Sequence, residues 1–282
     1  MSWPLADIGD VAFINPRLPK DTDGSQEVTF LGMASISEDG TILNQEQRVL
    51  SDTKKGFTYF ERNDVLLAKI TPCFENGKAV HLSKLSSQIG FGSTEFHVLR
   101  PHEGVLDAKY LFYMVWSKPF RFYGEHSMSG AAGQKRVSAD FIKGYKIPLP
   151  FPEDSKKSIK EQKRIADILD KADGIRRKRQ QAIDLADEFL RATFLDMFGD
   201  PVTNPKEWPA RPWREVLRIV NGRNQKAVAV VVGQYPICGS GGEMGRARDW
   251  LVQADSVLVG RKGNINKPIL MKEKFWNVDT AF

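Results

Sequence analysis

Over the first 150 positions, apolar residues fall in short runs separated by turn-forming residues. The runs at 28–33, 64–70, 79–82 and 95–99 are rich in Val, Ile, Leu and Phe and bounded by Gly, Pro or Asn, the pattern of short strands. Residues 107–116 (DAKYLFYMVW) have the length and composition of a helix, whose end Pro119 is expected to mark. Three prolines within 147–155 then halt regular structure and form a stiff boundary.

Beyond that boundary the period changes. Between Ser158 and Phe198 there is no proline, and apolar or small residues recur at Ile165, Ile168, Ala172, Ile175, Ala182, Ala186, Phe189, Thr193 and Met197. Steps of three and four, with Arg179 in the one gap, predict a helix with a coiled-coil-type seam. At 1.5 Å per residue, about 40 residues make a rod roughly 60 Å long, and its seam needs a partner to bury it. Gly199-Asp200-Pro201 and Asn204-Pro205 end the helix.

A second strand-rich region echoes the first. Trp3-Pro-Leu-Ala-Asp-Ile-Gly-Asp-Val resembles Trp213-Arg-Glu-Val-Leu-Arg-Ile-Val. Asp64-Val-Leu-Leu-Ala-Lys-Ile with Lys78-Ala-Val-His-Leu parallels Asp255-Ser-Val-Leu-Val-Gly with Lys267-Pro-Ile-Leu-Met. Gly92-Ser-Thr-Glu-Phe-His-Val has a counterpart in Trp276-Asn-Val-Asp-Thr-Ala-Phe. Three echoes in one order predict a duplicated domain whose second copy is incomplete.

Composition narrows the class. With 282 residues, 41% hydrophobic and 27% charged, the chain has the make-up of a cored protein of one or two domains. Apolar runs such as 227–232 are far short of the roughly 20 residues of a spanning helix, and MSWPLADIGDV lacks the features of a secretory signal, so a soluble, cytoplasmic protein is expected. Two cysteines, Cys73 and Cys238, make neither a disulfide framework nor a four-ligand zinc site. The net charge of +6 is unevenly placed: residues 1–152 sum to zero, whereas residues 189–282 carry 14 basic and 9 acidic side chains. That balance permits contact with a polyanion.

No catalytic constellation emerges. Phosphate-loop, HExxH and GxSxG patterns are missing, and the four histidines have no metal-ligand spacing to the cysteines. Asn15-Pro16-Arg17 and Asp200-Pro201-Val202 lack the second proline and aromatic residue of an adenine-methylating loop. Asp64, Glu75 and Lys78 could be drawn as a nuclease cluster, but scattered carboxylates near a lysine are common.

Three stretches suit DNA. Lys69, Thr71, Asn76 and Lys78 surround a turn, where amides and hydroxyls can meet base edges and lysines can meet phosphates. Ser127, Gln134, Lys135 and Arg136 lie in a Gly/Ala-rich loop able to approach a surface closely. Arg261, Lys262 and Asn264 offer the same chemistry in the second copy. The Arg176–Arg179 run is read as a solvated helix face.

Trp3-Pro-Leu, Ile70-Thr-Pro-Cys-Phe-Glu-Asn-Gly-Lys78, Ser93-Thr-Glu-Phe-His-Val-Leu-Arg100 and Gly133-Gln-Lys-Arg-Val137 stand in one order with Ile147-Pro-Leu-Pro150, Glu161-Gln-Lys-Arg-Ile-Ala-Asp-Ile-Leu169 and Phe194-Leu-Asp-Met-Phe-Gly-Asp-Pro201. Together they resemble the specificity subunit of type I restriction–modification systems. The resemblance implies an α+β fold: a strand-rich target-recognition domain at 1–152, a long spacer helix at 153–199, and part of a second recognition domain at 200–282. Ser93 and Thr94 join the candidate DNA contacts on this ground. Such subunits bind double-stranded DNA at split sites and are not themselves enzymes. They recruit adenine-N6 methyltransferase subunits, which use S-adenosylmethionine, and ATP- and Mg-dependent restriction subunits join these, so no cofactor is expected on this chain. The family pattern has a second long helix packed antiparallel on the first; without one, the seam is expected to pair with a second copy as an antiparallel homodimer, or with partner helices. The rival readings are a non-DNA-reading scaffold and a nuclease fragment.

Overall fold

The computed structural model describes residues 3–131, 133–260 and 267–278. The chain divides into two units, Met1–Phe189 and Leu190–Phe282.

The first unit opens with β1 (Leu5–Asp7), the short α1 (Ile8–Val11), β2 (Ala12–Ile14) and β3 (Glu27–Leu31). Next come β4 (Glu46–Val49), α2 (Leu50–Thr53), β5 (Thr58–Glu61), β6 (Val65–Ala68), β7 (Ala79–His81), β8 (Ile89–Gly92) and β9 (Phe96–Pro101). One sheet runs β2-β9-β6-β7, entirely antiparallel. A second runs β4-β3-β8-β5, with β3 and β8 parallel. All of β6 is buried because it has apolar neighbours on both faces. Val65 and Leu67 point to a core shared with the helices, whereas Leu66 and Ala68 point to Leu31 and Phe60 of the second sheet. Two-sided burial therefore explains why β6 lacks polar alternation. Each fully buried Leu or Phe there contributes about 2 kcal/mol. In β8 the spacing is tighter than a side chain allows: a Cβ on Gly90 would sit 2.1 Å from the Phe60 ring, and one on Gly92 2.4 Å from the Leu31 carbonyl oxygen.

Helices cover the outer face of the first sheet. Asp107 caps α3 (Ala108–Trp116) by accepting from the Tyr110 N–H. Ser117 then caps α4 (Lys118–Ser127), with Pro119 in its first turn. The first helix ends at Trp116 as expected, and Pro119 also opens a second one, as its fixed φ and missing N–H permit. Ser138 caps α5 (Ala139–Gly144), and β10 (Lys146–Pro148) pairs with β1.

The rod is α6 (Ser155–Phe198), 44 residues long. Its packed face is Ser158, Gln162, Ile165, Ala166, Leu169 and Asp173. The Gln162 side-chain carbonyl accepts from Asp107 N–H at 2.8 Å, and its amide donates to the Val105 carbonyl at 2.9 Å and to Ser158 Oγ at 3.0 Å. Farther along, the Tyr113 hydroxyl donates to Asp170 at 3.0 Å. Of the expected seam, only Ile165 lies on this face; Ile168, Ala172 and Ile175 turn outward. Across residues 178–198 every position except Thr193 is exposed, and Phe189 is 69% exposed. Gly174 sits near this changeover, with open space where a Cβ would be.

The second unit has α7 (Trp213–Val216), β11 (Ala229–Val230), β12 (Tyr235–Gly239), β13 (Gly242–Ala247), β14 (Ser256–Leu258), β15 (Ile269–Met271) and β16 (Trp276–Asn277). Its sheet runs β11-β13-β12-β16, with β12 antiparallel to β13 and parallel to β16. This repeats β3 between antiparallel β4 and parallel β8, and the β14–β15 pair repeats β6–β7. The third echo starts in the same strand: Trp276–Asn277 runs parallel to β12 as the end of β8, which Gly92 closes, runs parallel to β3, and residues 279–282 of that echo lie outside the described residues.

Candidate nucleic-acid interface

Three segments of the first unit are laced together at the end of β6. Lys69 N–H donates to the Glu95 carbonyl at 2.9 Å, Val137 N–H to the Lys69 carbonyl at 2.9 Å, and Thr71 N–H to the Lys135 carbonyl at 3.0 Å. Ile70 and Arg136 form an antiparallel bridge, as do Ser129 and Arg136. The expected turn at 69–78, the turn carrying Ser93 and Thr94, and the loop at 133–136 thus meet around Lys69.

Their side chains divide into two groups. Some are engaged within the fold. Arg136 grips Glu95 with both oxygens, Nε to Oε2 at 3.0 Å and Nη2 to Oε1 at 2.9 Å, and also donates to the Gln134 carbonyl. Those bonds hold the Glu95 carboxyl below the usual carboxylate range. Thr71 Oγ1 donates to Glu75 at 2.7 Å, Asn76 Nδ2 to Glu38 at 2.8 Å, and Lys78 Nζ to the Met33 carbonyl at 3.2 Å. Ser127 Oγ donates to the Gly124 carbonyl, and Ser93 Oγ accepts from Glu95 N–H. The second group is presented outward: Thr94, Gln134 and Lys135 are exposed, and half-buried Lys69 takes part in none of the described ion pairs. Arg261, Lys262 and Asn264 lie outside the described residues.

His97 braces this junction from below. Asn15 Nδ2 lies 3.1 Å from its Nδ1, and its Nε2 lies 3.0 Å from the Val137 carbonyl. Asn15 Oδ1 accepts from Val98 N–H at 3.0 Å. With the amide so fixed, Nδ1 accepts and Nε2–H donates, which is the neutral ring. Burial pushes its pKa below the ordinary histidine value.

The drawn nuclease cluster does not assemble. Asp64 is tied to Arg100 by two bonds of 2.8 Å and accepts from Glu61 N–H, while Glu75 and Lys78 serve the contacts above. Burial raises the Asp64 pKa against the pull of Arg100. Among the described residues no group of three or more His, Cys, Asp or Glu could hold a metal ion, and none of the helices is long and apolar enough to cross a membrane.

Beside Lys69 opens a cleft of about 360 Å³, lined by Asn15, Arg17, Lys54, Phe57, Lys69 and Thr94 among others. Arg17, Lys54 and Phe57 carry no motif, and no sequence signal ties three positions so far apart to one surface.

The first unit is thus an α+β fold bound to the first half of a long helix, with amides and cations gathered at one sheet edge. A family model described as the type I restriction modification DNA specificity domain matches residues 2–185. The chain belongs to that family. It is 40% identical over 171 residues to the EcoEI type I restriction enzyme specificity subunit of Escherichia coli, covering 60% of this chain and 27% of that protein. It is 41% identical over 165 residues to the EcoAI specificity subunit, also of Escherichia coli, covering 58% of this chain and 26% of that protein. The chain thus spans about a quarter of the length of these curated relatives. The crystal structure of a type I restriction–modification S subunit from M. genitalium is similar in fold, with TM-score 0.53 and 16% identity over 99% of this chain and 71% of that one.

Proposed function

We propose that this chain reads one half of a split double-stranded DNA site and directs adenine-N6 methyltransferase subunits, and through them restriction subunits, to it. The observation that carries this reading is the laced junction, where Lys69, Thr94, Gln134 and Lys135 reach solvent from three segments braced by Arg136–Glu95. Exposed amide and hydroxyl groups suit base edges, and lysines suit phosphates. Arg136, Thr71, Asn76 and Lys78 act by holding those segments in place. The chain itself carries out no chemistry and needs no cofactor; S-adenosylmethionine, ATP and Mg belong to the partner subunits, in the cytoplasm where DNA is met.

In this reading α6 is the spacer between half-sites. Its seam along residues 178–198, exposed except at Thr193, pairs antiparallel with a second copy or with a matching helix. Selection of duplexes from a randomised pool at two salt concentrations tests the proposal. Enrichment of a motif of a few base pairs supports one half-site read by the first unit, and two motifs at fixed spacing support the paired rod. Binding without enrichment leaves only phosphate attraction, and no binding at all favours a protein scaffold.

A further inference from the structure

The cleft beside Lys69 differs from the junction above it in its chemistry. Arg17, Lys54 and Lys69 place three cations around it, and no carboxylate lines it. None of the described ion pairs involves any of the three. Two acids stand behind the cleft: Glu95, which feels Lys69 but takes two bonds from Arg136, and Glu61, which accepts from the Tyr59 hydroxyl and pairs with Arg100. Three like charges converging on one concavity repel each other, an arrangement that an anion relieves. The remaining walls are Phe57 (partly exposed and edge-on to Phe30 at 4.9 Å), Tyr59, and the exposed hydroxyl of Thr94.

The position of the cleft follows from the chain. Asn15 adopts a left-handed conformation (φ 54°), pinned by its own side chain to Val98 N–H and His97, and so carries Arg17 to one wall. Lys54 follows the end of α2, and Lys69 follows β6. Lys69 belongs to both places, because its backbone holds the 133–136 loop while its side chain lines the cleft.

We infer that this cleft seats one phosphate of the DNA backbone, with its sugar against Phe57, immediately beside the bases met by the 133–136 loop. Arg17 and Lys54 are then backbone-positioning residues that fix the register of the loop without selecting sequence. The inference rests on the DNA-reading function proposed above.

The test compares two double variants of the 282-residue chain with equal loss of charge. Arg17→Gln/Lys54→Gln empties the cleft, and Lys20→Gln/Lys55→Gln removes two exposed lysines that do not line it. All four side chains are exposed, so both variants should melt like the parent. On a duplex carrying the selected motif, the cleft variant should bind about tenfold more weakly, as loss of a charge-assisted contact produces. The slope of log affinity against log salt should become shallower by about 0.9, the value for one phosphate. Its sequence preference should not change, and the control pair should bind nearly as the parent does. Equal weakening of both variants, or of neither, overturns the inference while leaving DNA reading intact. A parent that binds no duplex overturns the DNA reading itself, and the inference with it. Titration with a free deoxynucleoside monophosphate separates the two sources of a phosphate: saturation of the cleft at concentrations that leave duplex binding unaffected would assign it to a small molecule and overturn the inference.

Discussion

His97 ties two strand edges to the root of the candidate reading loop through a neutral ring. Protonation would set an Nδ1–H against the Asn15 Nδ2–H and break the bond that Nδ1 now accepts. Burial holds the folded pKa below the ordinary 6.5, whereas the unfolded ring keeps that ordinary value. The unfolded chain therefore binds the proton first, and stability falls as pH drops below about 6.5. His81, also pushed down by burial, adds to the same trend. Urea midpoints should be lower at pH 5.5 than at pH 7.5, and His97→Gln should flatten the difference; equal midpoints in the parent would refute the buried neutral ring. Asp64, 2% exposed, makes the complementary case. Replacing it with Ala leaves Arg100 with Glu61 alone and should cost about 3 kcal/mol in a denaturation series, the range for breaking a buried pair. At this scale sequence reading recovered residue types but not their partners. Arg136, a candidate DNA contact, grips Glu95, 41 positions away, a pairing no local pattern encodes.

Elements were more legible, because hydrophobic period and caps are local. The strands at β3, β6, β7 and β9 and the helix α3 fall where the pattern puts them. Pro119 stands just past the expected end of α3 and also opens α4, since a proline that cannot continue one helix can start another, and Ser117 two positions earlier was the signal of that start. The rod was legible in length but not in facing. Its packed side uses Gln162, Ser158 and Asp173, polar residues that no apolar periodicity would select. Gln162 is wholly buried, and two of its three bonds satisfy the 105–107 turn. Gln162→Leu should therefore cost about 2–4 kcal/mol by stranding Asp107 N–H and the Val105 carbonyl. Ile168→Ala on the outward face should change the urea midpoint by under about 0.5 kcal/mol. Comparable losses at both positions would mean that the outward face is also packed.

The repeat across the whole molecule was visible as three weak sequence echoes, and topology agrees with the second and with the start of the third, where Trp276–Asn277 has a single parallel neighbour as the end of β8 has in β3. The proposed pairing of arms is also a property of the whole chain. Sedimentation should show a monomer–dimer equilibrium that shifts with concentration. Phe189→Glu should drive it to monomer without lowering the melting point of the dilute protein, because Phe189 touches little in the single chain. A parent that stays monomeric at every concentration would remove the seam as an interface.

The changeover at Gly174 carries a consequence for order in the arm. N-terminal to it, α6 is held by tertiary contacts; across 178–192 every position is exposed, and beyond that the last turn is tied by Lys206 and Trp208 to the carbonyls of Asp196, Met197 and Phe198. A segment of about 15 residues without packing is marginal as a helix in water. In the isolated chain, amide hydrogens should exchange slowly around Gln162 and quickly beyond Arg179. Once the seam is covered, the slow zone should lengthen toward Phe198. Partner binding and local folding would then be one transition: the arm would acquire its full length as a rigid spacer only in the assembly that uses it as one.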